Sequence, residues 1–148
     1  YTALNTLSLH DALPIYPKIS PAVIVAVKNG DRLLLTRYAK NASDYRRKAL
    51  VAGFVEVGET PEQAVEREVM EETGLKVKNI RPYAVQPWSF SDSLMLAYTA
   101  ELDGSDRIRL DERELCEASF VPREEIPDNP SSASVANELM QRFRRGEL

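Results

Sequence analysis

One helix with well-marked ends constrains the fold of this chain most strongly. Thr60 can cap the helix and Gln63 can complete a capping box, while Pro61 suits the first helical position. Gly74 stands where a helix often ends in a left-handed residue. The sequence therefore predicts a helix from Pro61 to Thr73.

The acidic residues of this helix gather on one face. Glu68, Glu71 and Glu72 fall at positions i, i+3 and i+4, so their carboxylates lie together and repel one another. A divalent cation would relieve that repulsion, and an all-oxygen cluster suits Mg²⁺ or Mn²⁺ rather than zinc. An acidic helix face taken alone is more often just solvated, so the residues around the helix must decide between the two interpretations.

Apolar runs predict the strands that pack around the helix. Pro21 to Val27 is a continuous β-branched run typical of a strand buried on both faces, and Asn29-Gly30 indicates a hairpin to a partner strand, Arg32 to Arg37. Further strands are predicted in four segments: Ala49 to Val57, Lys76 to Ile80, Ser93 to Glu101 and Ala118 to Val121. A final amphipathic helix carries Val135, Leu139 and Phe143 on one side. Mixed strands and two distant helices predict an α/β fold with the sheet between the helices.

The spacing around the first helix is more specific than its acidic face. The chain matches every fixed position of G-x5-E-x7-R-E-U-x-E-E-x-G-U, with U apolar, through Gly53, Glu59, Arg67, Glu68, Val69, Glu71, Glu72, Gly74 and Leu75. With each residue type at roughly one in fifteen, chance agreement is on the order of 10⁻⁹ per start position. The pattern is that of the Nudix box, and the chain resembles the Nudix hydrolases.

The resemblance implies a Nudix fold, a mixed β-sheet in an α/β/α sandwich, and cleavage of nucleoside diphosphates linked to another moiety. It implies catalytic roles for Glu59, Arg67, Glu68, Glu71 and Glu72, with Arg67 paired to Glu59. Metal ligands would be the carbonyl of Ala52, the carboxylates of Glu68 and Glu72, and Glu114 from outside the box, with Glu117 a weaker alternative. The general base is left open between Glu71 and Glu114.

The run from Val85 to Ser93, VQPWSFSDS, narrows the range of candidate substrates. It resembles the S-Q-P-W-P-F-P-x-S motif of the NADH pyrophosphatase branch, although Ser89 and Ser91 replace two prolines and Val85 replaces the first serine. The resemblance implies hydrolysis of NADH or NAD⁺ to a nicotinamide mononucleotide and AMP, and removal of NAD caps from RNA. Implied substrate contacts are Tyr16, Phe54, Gln86, Pro87, Trp88, Ser89, Phe90, Ser91, Asp92, Ser93 and Ala136.

Other functions stay open at this point. Trp88 and Phe90 could be ordinary core aromatics, and another Nudix pyrophosphatase, for example one acting on ADP-ribose, would share the same box. A non-catalytic nucleotide-binding Nudix domain is a third candidate, although the complete set of box acids argues against it. A Ser-His or Cys-His mechanism is set aside because His10 is the only histidine.

Charge and composition limit the partners. A net charge of −4 argues against bulk attraction to nucleic acid, so a nucleotide must be held by a local site or by metal ions. No apolar run approaches the ~18 residues that a membrane span needs. The one cysteine, Cys116, permits no internal disulfide, which fits a cytoplasmic protein.

The first fifteen residues differ from the rest. Thr6 to Ile15, TLSLHDALPI, back-translates to a common sequencing-library adapter read in frame, so residues 1–15 are expected to be non-native and 16–148 to form the Nudix domain. The branch carries a four-cysteine zinc ribbon just before the Tyr16 position, and this sequence has no such ligands. Structural zinc and a homodimer are therefore expected of an intact family member, and a fragment as written could be inert.

Overall fold

The computed structural model describes residues 18–38, 48–110, 115–131 and 133–148, with only the backbone of Tyr38. Its strands are β1 (Ser20–Asn29), β2 (Arg32–Tyr38), β3 (Val51–Phe54), β4 (Val77–Trp88), β5 (Ser93–Leu102) and β6 (Leu115–Pro122). Its helices are α1 (Pro61–Thr73) and α2 (Val135–Arg145), and a short 3-10 helix spans Arg123–Glu125. These elements confirm the predicted α/β class. No helix among the described residues is long and apolar enough to cross a membrane.

Strand β1 organises the sheet. It pairs antiparallel with β2, with Asn29 opposite Arg32 across the two-residue turn Gly30-Asp31, where Gly30 has a φ of +59°. The same strand pairs antiparallel with β3 and parallel with β5. The main sheet order is β4-β5-β1-β2-β6. The predicted mixed sheet and its first hairpin are therefore confirmed.

The core lies on both sides of the sheet, as the continuous apolar run of β1 predicts. Val23, Val25 and Val27 pack in a cluster with Val65 and Val69 of α1. The alternate residues of β1 point to the other side, where a second cluster contains Ile24, Ala26, Val135, Leu139 and Phe143. One helix thus covers each face, and the result is an α/β/α sandwich.

The predicted strand that follows α1 is wrong in extent. The sequence pattern ended it at Ile80, whereas β4 continues to Trp88, and Gln86, Pro87 and Trp88 pair with residues of β5. Prolines made this stretch look like a loop, but β4 is an edge strand and needs no amide donor on its open side. Residues 89–92 form the hairpin turn.

The third predicted strand is also shorter than expected. It was predicted over Ala49 to Val57, and β3 ends at Phe54. Beyond it the chain turns, because the amide of Glu59 donates to the carbonyl of Glu56 over 3.1 Å. This turn brings the box loop back over the start of α1.

Candidate active site

Arg67 lies at the centre of the box. Its Nε and Nη2 donate to the two carboxylate oxygens of Glu59 over 2.8 and 3.0 Å, and Nη2 also donates to the carbonyl of Phe54 over 2.9 Å. The planar guanidinium suits such a two-pronged contact with a carboxylate. The side chain therefore fixes the loop from the end of β3 to Glu59 against α1.

The same side chain reaches the acidic face of α1. Its Nη1 donates to Glu68 over 2.8 Å and to Glu71 over 3.0 Å. Hydrogen bonds to Glu59 first, and then those to Glu68 and Glu71, raise the pKa of Arg67 above its ordinary value. The bond from Arg67 and a second one from the amide of Glu56 lower the pKa of Glu59. The predicted pairing of Arg67 with Glu59 is present, with both charges retained.

Gly53 leaves room for the carboxylate of Glu68. A Cβ built on Gly53 would overlap the carboxylate of Glu68, so no larger residue fits while that side chain stays in place. The sheet register puts Gly53 opposite Val23 of β1, one position from the predicted metal ligand Ala52. The glycine of the box thus brings backbone and carboxylate oxygens close together.

Helix α1 begins and ends at the predicted residues, so the glutamates of the box lie at their predicted positions along it. The hydroxyl of Thr60 accepts from the amide of Gln63, the side chain of Gln63 accepts from the amide of Thr60, and Gly74 ends the helix with a φ of +68°. The side chain of Glu71 is mostly exposed, whereas Glu72 is only 2% exposed. Burial of a carboxylate is costly, so Glu72 is a strong candidate for a functional rather than a solvated acid.

The residues of the box fit a hard divalent cation. Glu59, Glu68 and Glu71 bring three carboxylates against the guanidinium of Arg67, and Glu72 is buried on the same helix, so negative charge on oxygen atoms is in excess. Among the described residues, no three His, Cys, Asp or Glu side chains converge as a ready metal site. Arg67 bonds to three of these carboxylates, those of Glu59, Glu68 and Glu71. The set Ala52, Glu68, Glu72 and Glu114 stays a prediction.

A second group of predicted residues meets on the other side of the sheet. Gln86, Trp88 and Ala136 line one cavity of about 180 Å³, together with Ile24, Met95, Ser134 and Val135. The side-chain oxygen of Gln86 accepts from the amide of Val135 over 2.8 Å, and its nitrogen donates to the carbonyl of Ala133 over 3.4 Å. Gln86 therefore fastens the start of α2 to the edge strand.

The turn after Trp88 carries the other residues of the motif. The rings of Trp88 and Phe90 lie 5.3 Å apart at 58°, and Phe90 is 87% exposed. In this turn Ser91 bonds to the hydroxyl of Ser93 over 3.0 Å. A serine that stands in place of a motif proline thus contributes a hydrogen bond to the turn. Phe54 is also exposed, at the end of β3.

The remaining predicted residues are dispersed. Pro87 is exposed in β4, Ser89 and Asp92 lie in the turn, and Asp92 has a φ of +51°. Glu117 forms an ion pair with Arg37 between β6 and β2. Tyr16 and Glu114 lie outside the described residues, as does the whole segment 1–15. Their assignments stay predictions.

Sequence reasoning missed most of the cavity wall. Ile24 and Met95 belong to neighbouring strands, which pair in parallel with Ala22 opposite Met95. Ser134 caps α2 by accepting from the amide of Asn137 over 3.3 Å. The cap could have been found from its Ser-x-x-Asn spacing. Nothing local in the sequence places it beside Trp88.

The fold and the box together define a Nudix domain. Residues 18–143 match the NUDIX domain family, and the chain belongs to that family. It is 47% identical over 126 residues to the NAD-capped RNA hydrolase NudC of Shigella flexneri and 46% identical to that of Escherichia coli O9:H4 (strain HS). Each alignment covers 85% of this chain and 48% of the relative, so the chain spans about half the length of these curated relatives.

A solved structure agrees on the fold. The NUDIX hydrolase from Nitrosomonas europaea superposes with a TM-score of 0.76 at 25% identity, covering 91% of this chain and 75% of the other. The described sheet and both helices are therefore those of a Nudix domain.

Proposed function

We propose that this domain hydrolyses the pyrophosphate bond of NADH or NAD⁺, giving a nicotinamide mononucleotide and AMP, and that it also removes NAD caps from RNA. The observation that carries the proposal is the meeting of Gln86, Trp88 and Ala136 at one cavity in a domain with a complete Nudix box. The names of relatives 46–47% identical over 126 residues support the same substrate class.

The box residues have separate roles in this proposal. Glu68, Glu72, the carbonyl of Ala52 and Glu114 would hold Mg²⁺ or Mn²⁺. When bound, the cation neutralises negative charge on the pyrophosphate oxygens. Arg67 keeps the loop carrying Glu59 rigid, through the bonds described above.

The general base is a carboxylate in the same proposal, either Glu71 or Glu114. The side chain of Glu71 is 60% exposed, so its carboxylate can contact a solvent water while one of its oxygens bonds to Arg67. A carboxylate within reach of that water is suited to accept its proton.

Three aromatic residues contact the bases of the substrate in this proposal. Trp88 has a face toward the apolar cavity, and Phe54 and Phe90 are exposed. Aromatic faces stack on flat bases, and together the three offer surfaces for the two bases of a dinucleotide. Tyr16 is proposed as a further contact with the substrate.

Product analysis tests the proposal. The chain would be incubated with NADH, ADP-ribose and NAD-capped RNA, with and without Mg²⁺ or Mn²⁺, beside Glu72→Gln and Glu66→Gln. Glu66 lies exposed on the same helix at a variable position of the box, so its variant should keep the activity. We expect AMP from NADH only when a metal is present, with a loss of at least ~100-fold in Glu72→Gln. Faster release from ADP-ribose, or full activity in Glu72→Gln, would contradict the assignment.

We also propose that the intact protein is a cytoplasmic homodimer. The resemblance to the NADH pyrophosphatase branch supports this, and light scattering after gel filtration tests the dimer. A monomer that hydrolyses NADH at the full rate would refute a need for the partner copy. Cell fractionation tests the compartment.

A further inference from the structure

A basic cleft lies beside the box helix. Gly74, Lys76, Asp103, Ser105, Arg107 and Arg109 line a hollow of about 410 Å³. A neighbouring hollow of about 490 Å³ shares Lys76 and Asp103 and extends to Arg67 and the outer side of α1. One continuous surface thus runs from the central arginine of the box to the loop that follows β5.

The backbone holds two of these cations in place. The amide of Asp103 donates to the carbonyl of Lys76 over 2.8 Å, and the amide of Arg109 donates to the carbonyl of Thr73 over 2.8 Å. A Cβ at Gly74 would lie 3.2 Å from the Cβ of Arg109, so the loop packs tightly on the end of α1. The positions of Lys76 and Arg109 are therefore fixed by main-chain contacts.

The charges in this cleft are not neutralised from within. Asp103 pairs with Lys78 over 3.1 Å, and Asp106 pairs with Arg32 over 3.4 Å, both cations lying outside the lining. Lys76, Arg107 and Arg109 are exposed, and none of the three has an ion-pair partner among the described residues. Three cations without an ion-pair partner among the described residues thus line one hollow, in a chain of net charge −4.

We propose that this cleft binds the phosphodiester backbone of a single-stranded RNA whose capped 5′ end occupies the active site. Three exposed cations that form no ion pair within the described part of the chain suit a run of phosphates, which Lys and Arg neutralise while releasing counterions. Apart from Gly74, every residue that lines the hollow has a charged or polar side chain, which suits contact with the backbone rather than with bases. The inference rests on the proposed function for its RNA substrate, and it adds a site for the body of that RNA.

A pair of matched variants tests the site. Arg107→Gln/Arg109→Gln removes two charges from the cleft, whereas Arg81→Gln/Arg145→Gln removes two from the edge strand and from the end of α2. Binding of a 3′-fluorescein RNA of about ten nucleotides, with 5′-NAD, is followed by anisotropy in EDTA. We expect about tenfold weaker binding at low salt for the cleft variant only, and a log-log salt slope shallower by about 1.4.

A third variant separates charge from packing. Arg107→Lys/Arg109→Lys keeps both charges and should bind RNA within about twofold of the unaltered chain, because phosphate contacts of this kind depend on charge. If it binds as weakly as the glutamine variant while melting at the same temperature, charge is not the cause and the proposal is wrong. Equal weakening by the cleft and control variants would also overturn it.

The rate of NADH hydrolysis distinguishes a failure of the proposed RNA site from a failure of the proposed activity. The cleft variant should turn over NADH at the unaltered rate while its KM for NAD-capped RNA rises about tenfold. If NADH is not hydrolysed but RNA binding still depends on Arg107 and Arg109, the proposed activity is wrong and the proposed RNA site is supported. If NADH is hydrolysed and RNA binding does not depend on these residues, the proposed RNA site is wrong and the proposed activity is supported.

Discussion

The carboxylate of Glu68 occupies the space that a side chain at Gly53 would need. The clash is with the far end of a flexible side chain, so Glu68 can move aside without disturbing the sheet. Glu68 also accepts a hydrogen bond from Arg67 over 2.8 Å, which fixes its usual position. The glycine therefore determines where a proposed metal ligand lies more than it determines the stability of the fold.

Gly53→Ala should separate activity from stability. We expect the melting temperature to change by less than about 3 °C, because only one side chain must move, while kcat/KM for NADH falls at least ~30-fold. Calorimetry and product assays measure the two effects. The double variant Gly53→Ala/Glu68→Gln should be no less active than Glu68→Gln alone, since both act through one carboxylate. Additive losses would show that Gly53 acts on something else.

Tyr98 gives a pH dependence that the sequence alone does not suggest. This residue is 6% exposed, and its hydroxyl donates to Glu62 in the first turn of α1 over 3.0 Å. Burial first, and then the bond to Glu62, raise the pKa of Tyr98 to about 12. Its hydroxyl therefore stays protonated in the folded state at a pH where the unfolded chain has lost that proton.

The stability contributed by Tyr98 should be lost in alkali. It is fully present below the ordinary tyrosine pKa of about 10 and disappears as the pH rises toward about 12, because the unfolded state then holds fewer protons. Thermal melts of the unaltered chain and Tyr98→Phe between about pH 8 and 12 test this. The difference in melting temperature should shrink over the upper part of that range. A constant difference would contradict the prediction.

The sequence predicted those elements whose signals are local. The helix α1 was predicted with both its bounds, because Thr60, Pro61 and Gly74 lie next to the residues that they cap. The burial of β1 on both faces was predicted because its apolar run is continuous. The spacing of the box residues carried the resemblance to the Nudix hydrolases, and that resemblance implied the contact between Arg67 and Glu59.

What the sequence missed depends on contacts between distant segments. The extension of β4 to Trp88 was missed because prolines are tolerated only where an edge strand leaves its amides unpaired, and edge position is a property of the whole sheet. The bond from the amide of Val135 to Gln86 joins residues 49 positions apart. The basic cleft was missed for the same reason, since a turn brings Arg107 and Arg109 back to Lys76.

Gln86 should affect substrate binding through the position of α2. Gln86→Met removes the acceptor for the amide of Val135 while keeping a side chain of similar length. The matched control is Gln141→Met, since Gln141 donates to the carbonyl of Pro127 over 3.0 Å and lies outside the cavity of Trp88. Each variant should lose about 1 kcal/mol of folding stability in urea.

Only the Gln86 variant should change the KM for NADH. We expect a rise of about 5- to 20-fold with a smaller change in kcat, because the start of α2 forms one wall of the cavity. Steady-state kinetics measures both parameters. A similar rise in Gln141→Met would mean that general loosening of α2, rather than the bond to Gln86, is responsible.

The fluorescence of Trp88 should report the binding of a ligand in the cavity. It is the only tryptophan in the chain, and it lines the same hollow of about 180 Å³ as Ala136. NAD⁺ added in EDTA, where no metal supports turnover, should quench its emission in a saturable way. Ala136→Leu adds a bulkier side chain to a small cavity and should weaken that quenching at least ~10-fold. Met140→Leu places the same new residue elsewhere on α2, outside this cavity and with little change of volume, and should leave the quenching unchanged. Quenching that survives Ala136→Leu would place the dinucleotide outside this cavity and remove the main support for the proposed substrate.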